Sequence, residues 1–326
     1  MRYRSLGSSG LRVSVVGLGC NAFGTRIDEQ QTRAVVGAAL DQGVTLFDTA
    51  DTYGFGASEE LLGKALGPRR DDVVVATKFG MDMEGRNGPE WEARSSRRYV
   101  RRAVEASLRR LGTDHIDLYQ IHQLDLVTPM AEIVEAMNEL VDEGKVRYLG
   151  CSNFASWELA DAHWIARDAG LPPFVSAQNE YSLYNRVAEQ ELVPACLRFG
   201  VGLLPYFPLA YGLLTGKYRR GEAAPAGSRL GHEGQAHRLR NADFDRVEAL
   251  EAYAGARGLD ILTVALGGLA AQPGVASVIA GATRPDQVAA NVEAGLWQPT
   301  RSDLEDLREV NRLPGPGMTH ASYALR

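Results

Sequence analysis

Four ionisable side chains stand at or near the ends of short apolar runs within the first 122 residues: Asp48, Tyr53, Lys78 and His122. A phenol such as Tyr53 can donate a proton, and an ammonium beside it lowers the phenol's pKa by favouring the phenolate. A carboxylate can hold that ammonium in place, and an imidazole can orient a carbonyl oxygen by hydrogen bonding. The set therefore predicts reduction of a carbonyl group, with Tyr53 as proton donor. Protein side chains supply no hydride, so a nicotinamide cofactor is also expected.

Each of these residues alone also has an ordinary structural interpretation. A buried Asp or Lys at a strand end is commonly half of an ion pair, and a single Tyr commonly packs in a core. Four compatible groups on consecutive strand–helix units favour the catalytic interpretation.

The elements that must position these groups follow one repeating pattern, a short β-branched run, a polar loop and a helical period. The predicted strands cover residues 15–19, 45–50, 73–78, 116–122, 147–152, 174–179, 202–206 and 276–281. Successive apolar residues, as at 73–75, are typical of strands buried on both faces of a parallel sheet. Eight such units favour a closed (β/α)8 TIM barrel over an open doubly wound sheet. In that barrel the carboxyl ends of the strands meet at one mouth, where catalytic residues lie.

Several segments stand outside the eightfold pattern. Residues 2–6 and 11–15 predict an N-terminal β-hairpin, and long loops at 81–95 and 212–241 follow the third and seventh strands. A helix at 244–257 is expected outside the repeat. The whole chain, residues 1–326, is interpreted as one barrel domain, since such barrels commonly reach this length.

Composition excludes several classes of function. The chain has 326 residues, with 35 basic and 41 acidic side chains and a net charge of −6. This balance predicts no general attraction to nucleic acid or to an anionic membrane. A stretch with seven arginines, 94–110, leaves apolar residues on the opposite helical face and is interpreted as a solvated helix surface.

The cysteines and the hydropathy pattern indicate the compartment. Cys20, Cys151 and Cys196 are odd in number and widely spaced, unlike a disulfide framework or a metal site. The sequence contains no run of about 18 apolar residues, the length that could span a bilayer. We expect a reduced, cytoplasmic protein that binds a small-molecule carbonyl substrate, with no metal, and no pattern specifies its oligomeric state.

Six sequence stretches carry a resemblance to a known family. They are FDTADTY (47–53), TK (77–78), IH (121–122), GCSNF (150–154), QNEY (178–181) and PLAYGLLTGK (208–217). In this order, from about residue 3 to residue 295, the chain resembles the aldo-keto reductase superfamily. The resemblance implies the barrel, NADPH or NADP⁺ bound without a Rossmann domain, and the four catalytic roles given above. An alternative on the same fold is an NADP(H)-binding regulatory subunit with vestigial activity, like the barrel β-subunits of potassium channels.

The resemblance also implies cofactor contacts. Ser152, Asn153 and Gln178 would hydrogen-bond the nicotinamide amide, and Tyr206 would stack on its ring. Without the family, the first two would be interpreted as a turn, Gln178 as a satisfied buried amide and Tyr206 as core. Further candidate cofactor-binding residues are Gly19, Cys20, Asn21, Asp48, Phe207, Pro208, Leu209, Gly212, Leu213 and Lys217.

The adenosine end is predicted at the eighth unit, where residues 281–286 end a strand and open a helix. A helix N-terminus is a phosphate site, and Arg284 adds the bidentate donor that a 2′-phosphate prefers. Gln287 and Asn291 would reach the adenine, and Gly281 and Thr283 line the same turn. The alternative for Arg284 is a surface cap residue.

The chain also departs from its family. Many members carry basic residues at the positions of Gly281 and near Gln287, so their absence here leaves open how strict the preference for NADP over NAD is. Phe207 stands in place of a frequent serine. Asn21 stands in place of a frequent aromatic residue, which implies a more polar or roomier substrate pocket.

A third interpretation, a Rossmann dehydrogenase, depends on residues 17–22, which match the G-x-G-x-x-G/A fingerprint. That motif must open a helix so that the pyrophosphate meets its N-terminus. Here residues 23–27 precede the helix signal, a capping box of Asp28 and Gln31. We therefore interpret the match as a strand end and loop.

Overall fold

The computed structural model describes residues 1–89 and 91–310. Within these residues the strands are β1 (Tyr3–Ser5), β2 (Arg12–Ser14), β3 (Val16–Gly19), β4 (Leu46–Asp48), β5 (Val74–Phe79), β6 (Ile116–Ile121), β7 (Val146–Ser152), β8 (Ser176–Gln178), β9 (Gly202–Leu203) and β10 (Val278–Gly281). The first two form an antiparallel hairpin, and the other eight form a parallel sheet in the order β10-β3-β4-β5-β6-β7-β8-β9. All eight predicted barrel strands and the hairpin are therefore confirmed, with bounds that differ by a few residues.

Backbone hydrogen bonds between β9 and the segment leading into β10 close the sheet into a barrel. The Leu203 amide donates to the Gly274 carbonyl at 2.8 Å, and the Ala276 amide donates to the Leu203 carbonyl at 2.9 Å. Further along, the Ile279 amide reaches the Pro205 carbonyl at 3.0 Å. The (β/α)8 barrel is confirmed.

The hairpin packs against the interior of the barrel, at the amino-terminal end of the barrel strands. Leu6 and Val13 are fully buried and share a cluster with Leu46 of β4, Leu118 of β6 and Leu204, which follows β9. Because the eight strands are parallel, the opposite end of the barrel carries all of their carboxyl ends. The site predicted from the sequence lies at that end.

Helices surround the sheet and provide its crossovers. They are α1 (Glu29–Asp41), α2 (Ala57–Leu66), α3 (Arg97–Leu111), α4 (Met130–Asp142), α5 (Ser156–Asp168), α6 (Leu192–Phe199), α7 (Ala236–Arg240), α8 (Phe244–Gly255), α9 (Ile261–Ala270), α10 (Pro285–Gly295) and α11 (Arg301–Val310). The capping box of Asp28 and Gln31 at the start of α1 is confirmed. Helix α8 lies outside the eightfold repeat, as predicted, and packs against α9 and α11.

The long segment 212–241 after β9 is present, and it contains 3₁₀ turns at Arg229–Gly231 and Glu233–Gln235 and the short helix α7. One expectation needs correction. The arginine-rich face of α3 is not simply solvated, because Arg97 and Arg101 form ion pairs with acidic residues of α4. Within residues 1–89 and 91–310, no helix combines the length and apolar character needed to cross a membrane.

Candidate active site

The four predicted catalytic residues lie together at the carboxyl end of the barrel. Asp48 ends β4, Lys78 is the penultimate residue of β5, and His122 directly follows β6, so they stand on three adjacent strands. The Lys78 ammonium is fully buried and donates to Asp48 Oδ2 at 2.7 Å, to the Thr49 carbonyl at 2.8 Å and to the Tyr53 hydroxyl at 3.4 Å. The predicted contact between Tyr53 and Lys78 is therefore present.

The chain brings Tyr53 back over the mouth by a sharp turn. After Tyr53, the residues Gly54, Phe55 and Gly56 all have positive φ angles, of 59°, 53° and 99°. Two of the three are glycines, which adopt this left-handed conformation without steric cost. The Tyr53 ring meets the His122 imidazole edge-on at 5.9 Å between ring centroids.

Burial sets the protonation states of the site. It raises the pKa of Tyr53, and the nearby Lys78 charge opposes that shift without reversing it. The net direction is opposite to the one that Lys78 alone predicts. Burial would lower the pKa of Lys78, but Asp48 and Tyr53 raise it above its ordinary value. For His122, burial and then Lys78 hold the pKa well below its usual range. At neutral pH the site thus contains a protonated phenol, an ammonium and a neutral imidazole.

Residues predicted for the nicotinamide form a hydrogen-bonded network around this group. Gln178 Nε2 donates to Asp48 Oδ1 at 2.8 Å, and the Ser152 hydroxyl donates to the Gln178 carbonyl at 2.8 Å. Asn153 has a φ of 58° and donates to the His122 carbonyl at 3.0 Å, while the Tyr206 hydroxyl donates to Asn153 Oδ1 at 2.7 Å. The network fixes the side chains of Gln178 and Tyr206 in place.

A cavity of about 800 Å³ runs from the catalytic group to the start of α10. Most of the predicted site residues line it. The exceptions are Lys78 and Ser152, which are buried beneath its floor, and Leu213. The Leu213 side chain packs instead in a separate apolar cluster with Leu214 and Tyr218.

The α10 end of the cavity is held by local contacts. Gln287 Oε1 accepts hydrogen bonds from the Thr283 amide at 2.8 Å and from its hydroxyl at 3.1 Å. The guanidinium of Arg284 makes two hydrogen bonds to the Asp286 carboxylate, at 3.0 and 2.9 Å, and both side chains are exposed. Asn291 Nδ2 lies 3.4 Å from the Gly281 carbonyl.

Sequence reasoning missed two arginines that line the middle of the cavity, Arg26 and Arg229. Arg229 lies over the rings of Phe207 and Tyr211, with its guanidinium carbon 5.0 and 5.3 Å from their centroids. Burial, followed by the charge of Arg26, lowers the pKa of Arg229. Neither arginine forms an ion pair within the described part of the chain. No helical or strand period marks these positions, and the only signal was their place in loops at the mouth.

The lining fits a dinucleotide. At one end the cavity offers a network of amide and hydroxyl groups, which suits the amide of a nicotinamide. Two arginines without carboxylate partners among the described residues, and a helix N-terminus beside Arg284 at the other end, suit phosphate groups. His122 Nδ1 is buried and has no hydrogen-bond partner among the described residues. In the same residues, no group of three His, Cys, Asp or Glu side chains is placed to hold a metal ion.

Comparison with known proteins gives the family. The model of the Aldo/keto reductase family matches residues 15–312. An uncharacterized oxidoreductase, YrpG, of Bacillus subtilis is 37% identical and covers 99% of this chain and all of its own length. The versiconal hemiacetal acetate reductase of Aspergillus parasiticus is 36% identical over 95% of this chain and 96% of its own. A probable voltage-gated potassium channel subunit beta of Oryza sativa is 36% identical over 90% of this chain and 91% of its own length. The chain belongs to the aldo/keto reductase family.

Proposed function

We propose that this oxidoreductase reduces the carbonyl groups of aldehydes or ketones to alcohols with NADPH, and that residues 1–326 act as one barrel domain. One observation carries the proposal: at the cavity floor the Lys78 ammonium bridges the Asp48 carboxylate and the Tyr53 hydroxyl. This is the arrangement that proton donation by a phenol requires, since it provides an acid, a cation for the resulting phenolate and an anchor for that cation.

Bound NADPH would supply the hydride. Tyr53 is protonated at neutral pH because burial raises its pKa, and it would give its proton to the carbonyl oxygen as negative charge develops there. The O–H bond of Tyr53 breaks, and Lys78 stabilises the phenolate that remains. His122 is neutral and therefore a poor acid, so we assign it to orienting the carbonyl oxygen by a hydrogen bond.

The chain would hold the cofactor along the cavity. Asn153 and Gln178 face the catalytic end of the lining, where they can bond the nicotinamide amide, and Tyr206 is fixed as a stacking surface by its bond to Asn153. Arg284 would bind the 2′-phosphate that distinguishes NADPH from NADH. For this contact its guanidinium must leave Asp286.

A second candidate is an NADP(H)-binding regulatory subunit with little turnover. Two plant relatives, 36% and 35% identical over 90% of this chain, are named probable voltage-gated potassium channel subunits beta. The intact group of Asp48, Tyr53, Lys78 and His122 favours the reductase over a purely binding role.

Steady-state turnover separates the two candidates. Purified protein is incubated with NADPH and a panel of aldehydes, and both NADPH consumption and alcohol formation are measured, with Tyr53→Phe as control. Many alcohol molecules per protein, lost in the control, support the reductase. Tight NADPH binding with less than one turnover across the panel supports the regulatory subunit instead.

A further inference from the structure

A buried hydrogen bond joins the catalytic turn to the loop 81–95. Asp51, two residues before Tyr53, is fully buried, and Asn87 in the loop is 3% exposed. Asn87 Nδ2 donates to Asp51 Oδ2 at 2.8 Å. The backbone amide of Asp51 donates to the Lys78 carbonyl at 3.1 Å, which ties the same residue to the end of β5. Asp51 thus links the loop to the strand that carries the catalytic lysine.

The remaining oxygen of each partner lacks a donor. Asp51 Oδ1 and Asn87 Oδ1 are both buried without a hydrogen-bond partner among the described residues. A carboxylate and an amide oxygen are both acceptors, so they cannot satisfy each other without an added proton. One proton on Asp51 would convert the contact into a two-bond acid–amide pair. If the amide of Asn87 were turned over, its oxygen would face Asp51 Oδ2, and a proton on Asp51 would again be needed.

The charges around Asp51 favour that proton. Burial and the neighbouring Glu59 raise its pKa, while Arg110, the Thr52 amide and Asn87 act in the opposite direction. Arg110 is already bound by Glu59 at 2.6 Å. The phenols of Tyr99 and Tyr119 also lie near Asp51, and neither supplies a positive charge. The Tyr99 hydroxyl is in addition a hydrogen-bonding neighbour of Asn87.

The loop that Asn87 anchors forms one wall of a second cavity. This groove, of about 710 Å³, is lined by the two ends of the loop, residues 80–82 and 91–94, and by residues 123–127. It also includes Thr52 and shares Met81 with the first cavity. Large apolar side chains stand exposed along it, with Trp91 76%, Leu126 84% and Val127 73% accessible. The groove is therefore an extension of the active-site cavity in which a bulky apolar part of a substrate could lie.

We propose that Asp51 and Asn87 are positioning residues: a neutral Asp51 carboxyl pairs with the Asn87 amide and holds the loop 81–95 as the wall of the substrate groove. The effect on kinetics rests on the proposed carbonyl reduction, whereas the pair itself does not. Small substrates that reach only Tyr53 and His122 need no contact with this wall. Bulky apolar aldehydes do, so the pair sets their KM.

Substitutions at Asp51 test the protonation state. Asn at this position carries one donor and one acceptor in the places of the neutral acid, so Asp51→Asn should keep KM and kcat within about threefold of wild type. Asp51→Ala should raise KM for a bulky aromatic aldehyde about tenfold, the factor expected for one buried hydrogen bond, with a smaller change for a small aldehyde. If Asp51→Asn is as impaired as Asp51→Ala, the site requires a carboxylate and the proposal is wrong.

Substitution of the loop residue has a matched control. Asn87→Ala should reproduce the KM effect of Asp51→Ala. Asn138 on α4 is equally buried, also leaves its Oδ1 unpartnered among the described residues, and lies in the helical layer. Asn138→Ala should therefore lower stability without changing the ratio of the two KM values. Equal KM ratios in the two variants would reduce Asn87 to a merely structural role.

Two measurements need no turnover and separate this proposal from the reductase itself. At pH 8, infrared difference spectra of Asp51→Asn against wild type should show loss of the C=O band of a neutral carboxylic acid. Limited trypsin digestion should cut at the exposed Arg86 faster in Asn87→Ala than in wild type or Asn138→Ala. Absence of the band, or equal cleavage rates, would overturn the pair even in an active enzyme. A protein that shows both but does not turn over would contradict only the proposed reductase.

Discussion

The two ends of the main cavity are built in different ways. At the catalytic end, the functional groups project from the ends of adjacent strands and already bond one another, with Lys78 and Gln178 both holding Asp48. At the α10 end, Arg284 lines the cavity but is exposed, and its guanidinium is bound by the neighbouring Asp286. One end is assembled by the barrel, and the other depends on local contacts that can exchange.

This difference has energetic consequences. When a buried group with fixed partners is replaced, all of its hydrogen bonds are lost, and its former partners remain buried without a hydrogen-bond partner, which costs free energy. An exposed ion pair contributes little and is screened by salt. Substitutions at the catalytic end should therefore have large effects, and those at the α10 end small, graded ones.

The largest effect is expected for Tyr53→Phe, which keeps the ring but removes the proton donor. Reduction should slow by about 100- to 10,000-fold, the range that general acid catalysis supplies, while NADPH affinity is retained. Single-turnover rates at equal cofactor occupancy, with affinity from fluorescence titration, provide the measurement. Rates within about threefold of wild type would transfer the acid role to His122.

Lys78→Met should slow reduction to a similar extent and also affect stability and pH dependence. Lys78 opposes the rise in the pKa of Tyr53, so its removal should raise that pKa further. The basic limb of the pH–rate profile should then move to higher pH. Asp48 would be left buried with one unpaired oxygen, at a cost of about 3–5 kcal/mol in free energy of unfolding. Urea denaturation checks the stability, with exposed Lys64→Met as control. An unshifted profile would show that Lys78 does not act on Tyr53.

The same contrast explains which features the sequence could predict. The ends of the strands can be predicted from the sequence because apolar runs end at or near Asp48, Lys78 and His122. Parallel strands in a barrel must bring these ends together. The barrel and the contacts among these three side chains follow from this rule. The direction of the Tyr53 pKa was not readable, because it depends on how completely the side chain is buried.

Features that arise from non-periodic turns could not be predicted from the sequence. Positive φ angles at Phe207, Ala210 and Tyr211 bend the segment after β9 so that Leu213 turns into the core. The 3₁₀ turns that place Arg229 over the cavity are too short to leave a helical period. The contact between Arg284 and Asp286 competes with the predicted phosphate contact, and a motif does not reveal such competition.

At the α10 end, Arg284→Ala should weaken NADPH much more than NADH. Only NADPH carries the 2′-phosphate, and loss of a charge-assisted bidentate contact should reduce its affinity about tenfold or more. Dissociation constants for both cofactors at fixed ionic strength provide the measurement. Equal losses for the two cofactors would mean that the phosphate is held elsewhere, with Arg26 and Arg229 as the next candidates.

The smallest effect, a gain, is expected for Asp286→Asn. The carboxylate of Asp286 accepts hydrogen bonds from the two nitrogens with which Arg284 would bind a phosphate. Neutralising this carboxylate should increase the affinity for NADPH about two- to fivefold, the scale of an exposed ion pair. The affinity for NADH should stay nearly unchanged. The gain should shrink as salt is added, because the charges are exposed.

Two controls make this last comparison decisive. Glu293→Gln removes the same charge from the exposed surface of α10 near its other end and should leave both cofactors unaffected. In the double variant Arg284→Ala/Asp286→Asn the gain should vanish, because the aspartate then has no guanidinium to release. If Asp286→Asn still tightens NADPH in the Arg284→Ala background, the carboxylate acts only by repelling the phosphate. The α10 end would then be as fixed as the catalytic end, and the contrast between them would fail.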